Sequence, residues 1–238
     1  HIDKQKRNGM YLLSGSQAFE LMHNVSESLA GRIAILKLAG LSLREIQSIP
    51  FYDAFVPSQT YLAARERHLQ APENIWNIIH RGSMPELQDQ NIDWDSYYSD
   101  YVAAYLERDV RDLVNVKDEA KFYSFMVACA ARTGQLLNAT DIGNTVDVDR
   151  KTVKAWLSVL QASNIVRIVE PFWPNVDKRL TKTPKIFFMD TGLVCHLTRW
   201  ITPEQLRNGA AAGHIFETFV VSEILKSFMN AGKSLRDI

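Results

Sequence analysis

Two continuous apolar runs open the chain, and a polar segment of helical length separates them. The first run covers Met10–Leu13 in "MYLLSGSQAF", and the second lies in "RIAILKLAGLS", residues 32–42. Unbroken apolar runs of this length are typical of strands that are buried on both faces. We therefore predict a strand, a helix capped by Ser16, and a second strand, arranged as a βαβ unit of a parallel sheet.

After the second run, the pattern predicts mainly helices. Ser42 followed by Glu45 has the spacing of a capping box, which marks the start of a helix. Four prolines between residues 50 and 95 predict short helices joined by loops. Apolar residues at helical spacing predict longer helices over Tyr97–Leu113 and Lys121–Arg132.

The stretch from "LLNATDIGNTV" to "KIFFMD", residues 136–190, has the pattern of a winged helix, in which a helix, a turn and a second helix precede a β-hairpin. Asn138 or Thr140 would cap the first helix, "DVD" forms the turn, and Arg150–Ala162 forms the second helix. A stripe on this second helix that faces the core is formed by Val153, Trp156, Leu157 and Leu160. The segment "IVRIVEPFWPNVDKRLTKTPKIFFMD" predicts two strands around a basic loop.

The tail "HIFETFVVSEILKSFMNAG" predicts a final amphipathic helix that ends near Gly232. The predicted fold class is therefore mixed and mainly α. It consists of a remnant of a parallel α/β sheet, then a helical region with a winged helix, then the tail helix.

The composition adds one constraint, which concerns charge. Lys plus Arg and Asp plus Glu both number 27, so binding to a polyanion needs a local basic patch. The two cysteines, Cys129 and Cys195, lie far apart among apolar residues and predict buried thiols in a reducing compartment. Without an apolar run of membrane-spanning length or a signal peptide, we expect a cytoplasmic protein with no membrane partner.

Cations gather at both parts of the predicted winged helix that would meet nucleic acid. The first turn of the second helix carries Arg150, Lys151, Thr152 and Lys154. The loop of the hairpin carries Lys178, Arg179, Lys182 and Lys185. Cations at a helix N-terminus oppose the helix dipole, so their position favours an external anion. We predict that both sets contact duplex DNA; docking of another protein is the alternative.

Nucleotide chemistry is limited by a missing motif. The sequence has no G-x-x-x-x-G-K-[ST] loop, so this chain alone is not expected to hydrolyse ATP. Ser16 follows the first apolar run, where a polar residue would sense a γ-phosphate. Arg32 precedes the second run, where an arginine would stabilise charge during phosphoryl transfer in a neighbouring subunit.

The order of motifs resembles that of the bacterial predicted AAA+ superfamily ATPases, in which an ATPase core precedes a C-terminal domain of unknown function. The motifs that carry the resemblance cover nearly the whole chain: "YLLSGSQAFELMHNVSESLAGRIAILKLAGLSLREI", "YLERDVRDL", "ARTGQLLN", "TVKAWLSVLQASNIV", "KRLTKTPKIFFMDTGL" and "FETFVVSEILKS".

The resemblance implies four parts. These are the C-terminal part of an ATPase core, a helical linker, a winged-helix domain and the start of a restriction-endonuclease-like domain, at residues 1–50, 51–118, 119–192 and 193–238. The Walker A and Walker B segments would lie upstream, so the chain looks like a fragment. ATP and Mg²⁺ would belong to the intact protein, with none bound to this chain.

The resemblance also implies roles for single residues. Ser16 would be a sensor, Arg32 an arginine finger acting across a homo-oligomer, and Glu217 the helix acid of a degenerate nuclease. Glu217 as an ordinary acid on a helix surface stays an equal alternative. Asp190, at the end of "FMD", suits a tight turn better than a metal site, and no other metal site is predicted.

Two functions follow from these predictions. The first is a piece of an ATP-binding AAA+ family ATPase whose winged helix contacts DNA. The second is a non-enzymatic module for protein interaction or regulation, with no DNA binding. Binding to duplex DNA that weakens steeply with salt would distinguish the first from the second.

Overall fold

The computed structural model describes residues 9, 12, 34, 36–106, 110, 118–172, 174 and 182–235. The chain divides into two compact units, residues 1–34 and 35–238. Only positions 9, 12 and 34 of the first unit are described, so every element given below belongs to the second.

The second unit is mainly helical, as predicted. Within the described ranges its helices are α1 (Leu43–Ile46), α2 (Gln59–Glu66), α3 (Ile75–Arg81), α4 (Trp94–Tyr105), α5 (Glu119–Ala130), α6 (Ala139–Val146), α7 (Arg150–Ala162), α8 (Thr191–Leu197), α9 (Pro203–Asn208) and α10 (Ala212–Asn230). The strands are β1 (Val166–Val169) and β2 (Lys185–Phe188), which pair antiparallel. The order helix, turn, helix, strand, strand predicted for residues 136–190 is therefore present.

Polar side chains determine where most of these helices begin. At α1 the Glu45 carboxylate accepts from the backbone N–H of Ser42 at 2.8 Å, which confirms the predicted capping box. A side chain also caps every other helix named above except α10, through Ser58, Asn74, Asp93, Asp118, Asn138, Asp149, Asp190 and Thr202. Local sequence therefore sets the start of most helices.

One hydrophobic core contains residues from all helices from α3 through α10 and from both strands. The predicted stripe of α7 is buried in it, at Val153, Trp156, Leu157 and Leu160. The Trp156 ring meets Phe122 and Phe125 of α5 edge-on, with ring centroids 5.2 and 5.3 Å apart. This packing fixes α7 against α5 and leaves the opposite face of α7 exposed.

Asp190 lies buried at the centre of a polar cluster that joins three segments. Its Oδ2 accepts from the backbone N–H of Ser83 at 2.6 Å and from the Ser83 hydroxyl at 2.7 Å. Its Oδ1 accepts from the Tyr98 hydroxyl and from the backbone N–H of Leu193, both at 2.7 Å. The carboxylate therefore caps α8 and also ties it to α4 and to the end of α3.

Burial and charge keep the Tyr98 phenol a donor in this cluster. Tyr98 is fully buried, and this burial, followed by the negative charge of Asp190, raises the pKa of the phenol well above its ordinary value. Two glycines make the close approach possible. A Cβ at Gly82 would lie 2.2 Å from the Tyr98 Oη, and one at Gly192 would lie 2.3 Å from it.

The residues around the start of α1 are fastened to α10 by a buried ion pair. Lys226, which is 2% exposed, donates from Nζ to the Leu41 carbonyl at 3.0 Å and to Glu223 Oε1 at 3.2 Å. Glu223 Oε2 accepts from the backbone N–H of Leu43 at 2.8 Å. One charged pair on α10 therefore satisfies two backbone polar groups at the start of α1, the Leu41 carbonyl and the Leu43 N–H.

The predicted second buried strand is not formed where the structure describes it. Residues 36–39 adopt neither helix nor strand, and Leu36 and Leu38 are 76% and 92% exposed. A strand of a parallel sheet needs partners at its edges and cover on both faces, and the described residues provide neither around this run. The first predicted strand, Met10–Leu13, lies outside the described residues except for Leu12.

Both cysteines are buried free thiols, as predicted. Burial raises the pKa of the Cys129 and Cys195 thiols, which keeps them protonated and unreactive. In the part of the chain that the structure describes, no helix combines the length and the apolar character that crossing a bilayer requires.

Candidate nucleic-acid interface

The helices α6 and α7 meet at a tight turn that orients the start of α7. Asp147 adopts a left-handed conformation with φ of 56°, and its N–H donates to the Gly143 carbonyl, which ends α6. A Cβ at Gly143 would lie 2.6 Å from the carbonyl oxygen of Val148, so glycine allows the turn to pack onto α6. Asp149 then caps α7 by accepting from the backbone N–H of Lys151 and Thr152.

The exposed face of α7 carries three cations and no carboxylate. Helix α7 contains no acidic residue, and its exposed positions are Arg150, Lys151, Lys154, Ala155, Ser158 and Gln161. Arg150, Lys151 and Lys154 form no ion pair with any residue that the structure describes. This face can therefore present positive charge and small polar groups to an external surface.

The carboxylates of the turn are occupied by other partners. Asp147 pairs with Lys121 of α5 at 2.9 Å, and this hydrogen bond lowers the pKa of Asp147. Hydrogen bonds from the backbone and side chain of Thr152 lower the pKa of Asp149. Thr152, predicted as a DNA contact, is thus a capping partner, because its hydroxyl donates to Asp149 Oδ2 at 2.9 Å.

The predicted wing is only partly within the described chain. Lys178 and Arg179 lie outside the described residues, and Lys182 is exposed at the end of that loop. Lys185, at the start of β2, donates to Glu217 of α10 at 2.6 Å. Lys185 therefore ties the hairpin to α10, which reduces its capacity to contact a separate anion.

The predicted catalytic residues are not brought together by the described structure. Ser16 and Arg32 lie outside the described residues. Glu217 lies half-exposed on α10 with the ammonium group of Lys185 as its partner. In the described ranges, no group of three or more His, Cys, Asp or Glu side chains is placed to hold a metal ion. The nuclease role of Glu217 stays a prediction.

Sequence reasoning missed one contact that supports the interface. Arg132, just after α5, donates from Nε to Asp141 at 2.9 Å and from Nη2 to the Thr145 hydroxyl at 3.0 Å. Both partners lie on α6, so Arg132 fixes the helix that precedes the turn. No pattern in the sequence indicates this pairing, because it depends on how two helices cross.

Two curated proteins are similar to the chain over most of its length. They are uncharacterized proteins of Mycobacterium bovis and Mycobacterium tuberculosis, each 26% identical over 225 residues, which is 94% of this chain and 46% of the relative. The chain thus spans about half the length of these relatives. No solved structure matches the chain significantly.

Family comparisons agree with the resemblance at a coarse level. An AAA domain matches residues 1–47, which relates the start of the chain to AAA-type ATPases and confirms that part of the prediction. The predicted boundaries near residues 50, 118 and 192 stay predictions. Because the domain of unknown function DUF8612 matches residues 72–204, more than half of the 238 residues, the chain belongs to that family.

Proposed function

We propose that the chain is part of an AAA-type ATPase and that its helices α5, α6 and α7 with the β1–β2 pair act as a winged helix that contacts duplex DNA. The AAA domain matched at residues 1–47 supports the first half of this proposal. The exposed, carboxylate-free face of α7, with Arg150, Lys151 and Lys154, is the observation that carries the second half.

The geometry of α7 suits phosphate contacts. Its N-terminal turn lies at an exposed corner between two helices, where a helix dipole and nearby cations attract phosphate oxygens. Neither Asp147 nor Asp149 forms an ion pair with these cations: Asp147 pairs with Lys121, and Asp149 accepts from Thr152 and from the backbone N–H of Lys151. The negative charge of Asp149 still acts on Lys151, so Arg150 and Lys154 are the cations that it offsets least. Three phosphate contacts would give a log–log salt slope of about −2.7.

Reversing two of these charges is expected to weaken DNA binding strongly. In Lys151→Glu/Lys154→Glu, two phosphate contacts are lost and two repulsive charges are added. We expect the salt slope to become less negative by about two units. The affinity for the duplex should fall about tenfold or more. Fluorescence anisotropy with a short labelled duplex, at salt concentrations from about 50 to about 200 mM, measures both quantities.

The matched control is Arg207→Glu/Lys233→Glu, which reverses two other exposed cations and changes net charge equally. This control should retain wild-type binding if α7 is the interface. Equal losses in the two double variants would show that only net charge matters. Duplex binding that changes with neither salt nor these substitutions would remove α7 from the DNA-contact role, and no duplex binding by the wild type would favour the protein-interaction module.

ATP turnover is proposed for the intact protein, with ATP and Mg²⁺ as its cofactors and a homo-oligomer as its working form. In that protein Arg32→Ala should abolish turnover and leave nucleotide binding intact, because an arginine finger stabilises charge that develops only during phosphoryl transfer. Phosphate release and binding of a fluorescent ATP analogue measure the two effects. Wild-type turnover in the variant would remove Arg32 from this role.

A further inference from the structure

Two arginine side chains contact the same aromatic ring in a second, smaller hydrophobic cluster. The Cζ of Arg44 lies 5.0 Å from the centroid of the Phe51 ring, and the Cζ of Arg65 lies 5.6 Å from it. The His68 ring lies 5.5 Å from the same ring, centroid to centroid. Two guanidinium groups and an imidazole therefore gather around one buried phenyl ring.

Hydrogen bonds within the described chain use only some of these donors. Arg44 donates to two backbone oxygens and to the Tyr61 hydroxyl, the latter at 2.7 Å. Arg65 donates to the backbone oxygen of His68. Since each guanidinium has five N–H donors, most of those on Arg65 have no acceptor among the described residues.

The two positive charges form no ion pair with the carboxylates that the structure describes. Neither Arg44 nor Arg65 forms an ion pair with a described carboxylate, and the side chains of Asp53 and Glu66 are exposed. Burial, followed by the positive charge of Arg44, holds the pKa of the Arg65 guanidinium below its ordinary value, against an opposing effect of Tyr61. The two positive charges, 5.0 and 5.6 Å from the same ring centroid, therefore repel each other, and an anion bound beside them would reduce the repulsion.

We propose that Arg44, Arg65 and His68 form a binding site for a phosphate group, separate from the face of α7. Arg65, with one acceptor in the described chain, has enough donors left to match two phosphate oxygens at once. Arg44 already donates to three acceptors, so it contributes its charge and its remaining donors. Stacking on Phe51 and the backbone contacts of Arg44 hold the forks in place before the ligand arrives, which lowers the entropy cost of binding. The phosphate belongs either to a free nucleotide or to a nucleic-acid backbone, which present the same group.

Inorganic phosphate is the first probe of this site. Isothermal titration calorimetry of the full chain with inorganic phosphate should show saturable binding. Arg65→Gln should weaken this binding about tenfold, because charge-assisted hydrogen bonds to the ligand are lost. Arg67→Gln is the matched control, since Arg67 is the exposed neighbour that follows α2 and contributes no contact to Phe51. It should bind as the wild type does.

A second variant and a stability measurement distinguish loss of the binding site from a folding defect. Arg65→Lys keeps the charge and loses the fork, so its binding should lie between those of the wild type and Arg65→Gln. Thermal unfolding without phosphate should be similar in Arg65→Gln and Arg67→Gln. Phosphate binding that is absent in the wild type, or equal in the wild type and Arg65→Gln, would overturn the proposal.

Two further probes distinguish the source of the phosphate. If ATP binds more tightly than inorganic phosphate and Arg65→Gln weakens it, the ligand is a nucleotide. If a short duplex displaces phosphate and Arg65→Gln weakens duplex binding while ATP binding is unaffected, the ligand is a nucleic-acid backbone. The charge reversals on α7 leave Arg65 intact, so failure of the DNA interface and failure of this site are separate results.

Discussion

Replacing Asp190 with alanine is expected to lower the free energy of unfolding by about 4 kcal/mol. The carboxylate accepts from the backbone N–H and the hydroxyl of Ser83, from the Tyr98 hydroxyl, and from the N–H of Leu193. Loss of the cap on α8 costs about 1 kcal/mol. Each buried donor left without an acceptor adds about 1 kcal/mol or more. Urea denaturation followed by circular dichroism measures the total.

Two comparisons show where the loss arises. Thr202→Ala removes the cap of α9 but breaks no tie to another segment, so it should cost about 1 kcal/mol. Tyr98→Phe removes one of the donors to Asp190 together with its polar atom, and should cost about 1 to 2 kcal/mol. If Asp190→Ala loses no more than Thr202→Ala, the cluster adds nothing beyond the helix cap.

The features that sequence predicts well are those set by neighbouring residues. The capping box of Ser42 and Glu45 and the buried stripe of α7 depend on spacings within one or two turns of a helix. Exposure of Arg150, Lys151 and Lys154 follows from the same periodicity, because the buried stripe fixes which face is outside. For this reason the candidate interface on α7 could be located from the sequence.

The contacts that sequence does not predict join residues far apart in the chain. One such contact is the ion pair of Lys185 with Glu217, which joins a predicted DNA contact to a predicted nuclease acid, while both roles stay predictions. Local spacing cannot indicate this, because either residue alone looks like an ordinary surface charge. The same holds for Arg44 and Arg65, which lie on different helices and both contact the Phe51 ring.

For the apolar run that includes Leu36 and Leu38, the sequence predicts a strand that the described structure does not form. Its composition is typical of a buried strand, yet residues 36–39 are exposed and irregular in the described structure. A strand exists only with a partner that accepts its hydrogen bonds. Composition describes what a segment could bury, and the presence of a partner decides whether it does so.

Breaking the ion pair between Glu223 and Lys226 is expected to have the second large effect on stability. Glu223→Leu leaves the ammonium of Lys226, 2% exposed, with the Leu41 carbonyl as its remaining acceptor among its described contacts. The charge of Glu45 still acts on Lys226 and offsets part of the cost, so we expect a loss of about 3 kcal/mol, at the low end for breaking a buried pair. Urea denaturation measures the loss, and Glu204→Leu, at an exposed position of α9, is the control with an expected change below about 0.5 kcal/mol.

A double-mutant cycle shows whether the cost comes from the stranded charge. In Glu223→Leu/Lys226→Met both charges are gone, so the loss should fall to about 1 to 2 kcal/mol, although two partners are removed. The remaining cost reflects the backbone groups of Leu41 and Leu43, which lose the side chains that satisfied them. These two residues lie within the AAA match, so the pair attaches the end of that match to α10. If the double variant loses as much as the sum of the single variants, the two charges do not act as a unit, and this attachment rests on apolar packing alone.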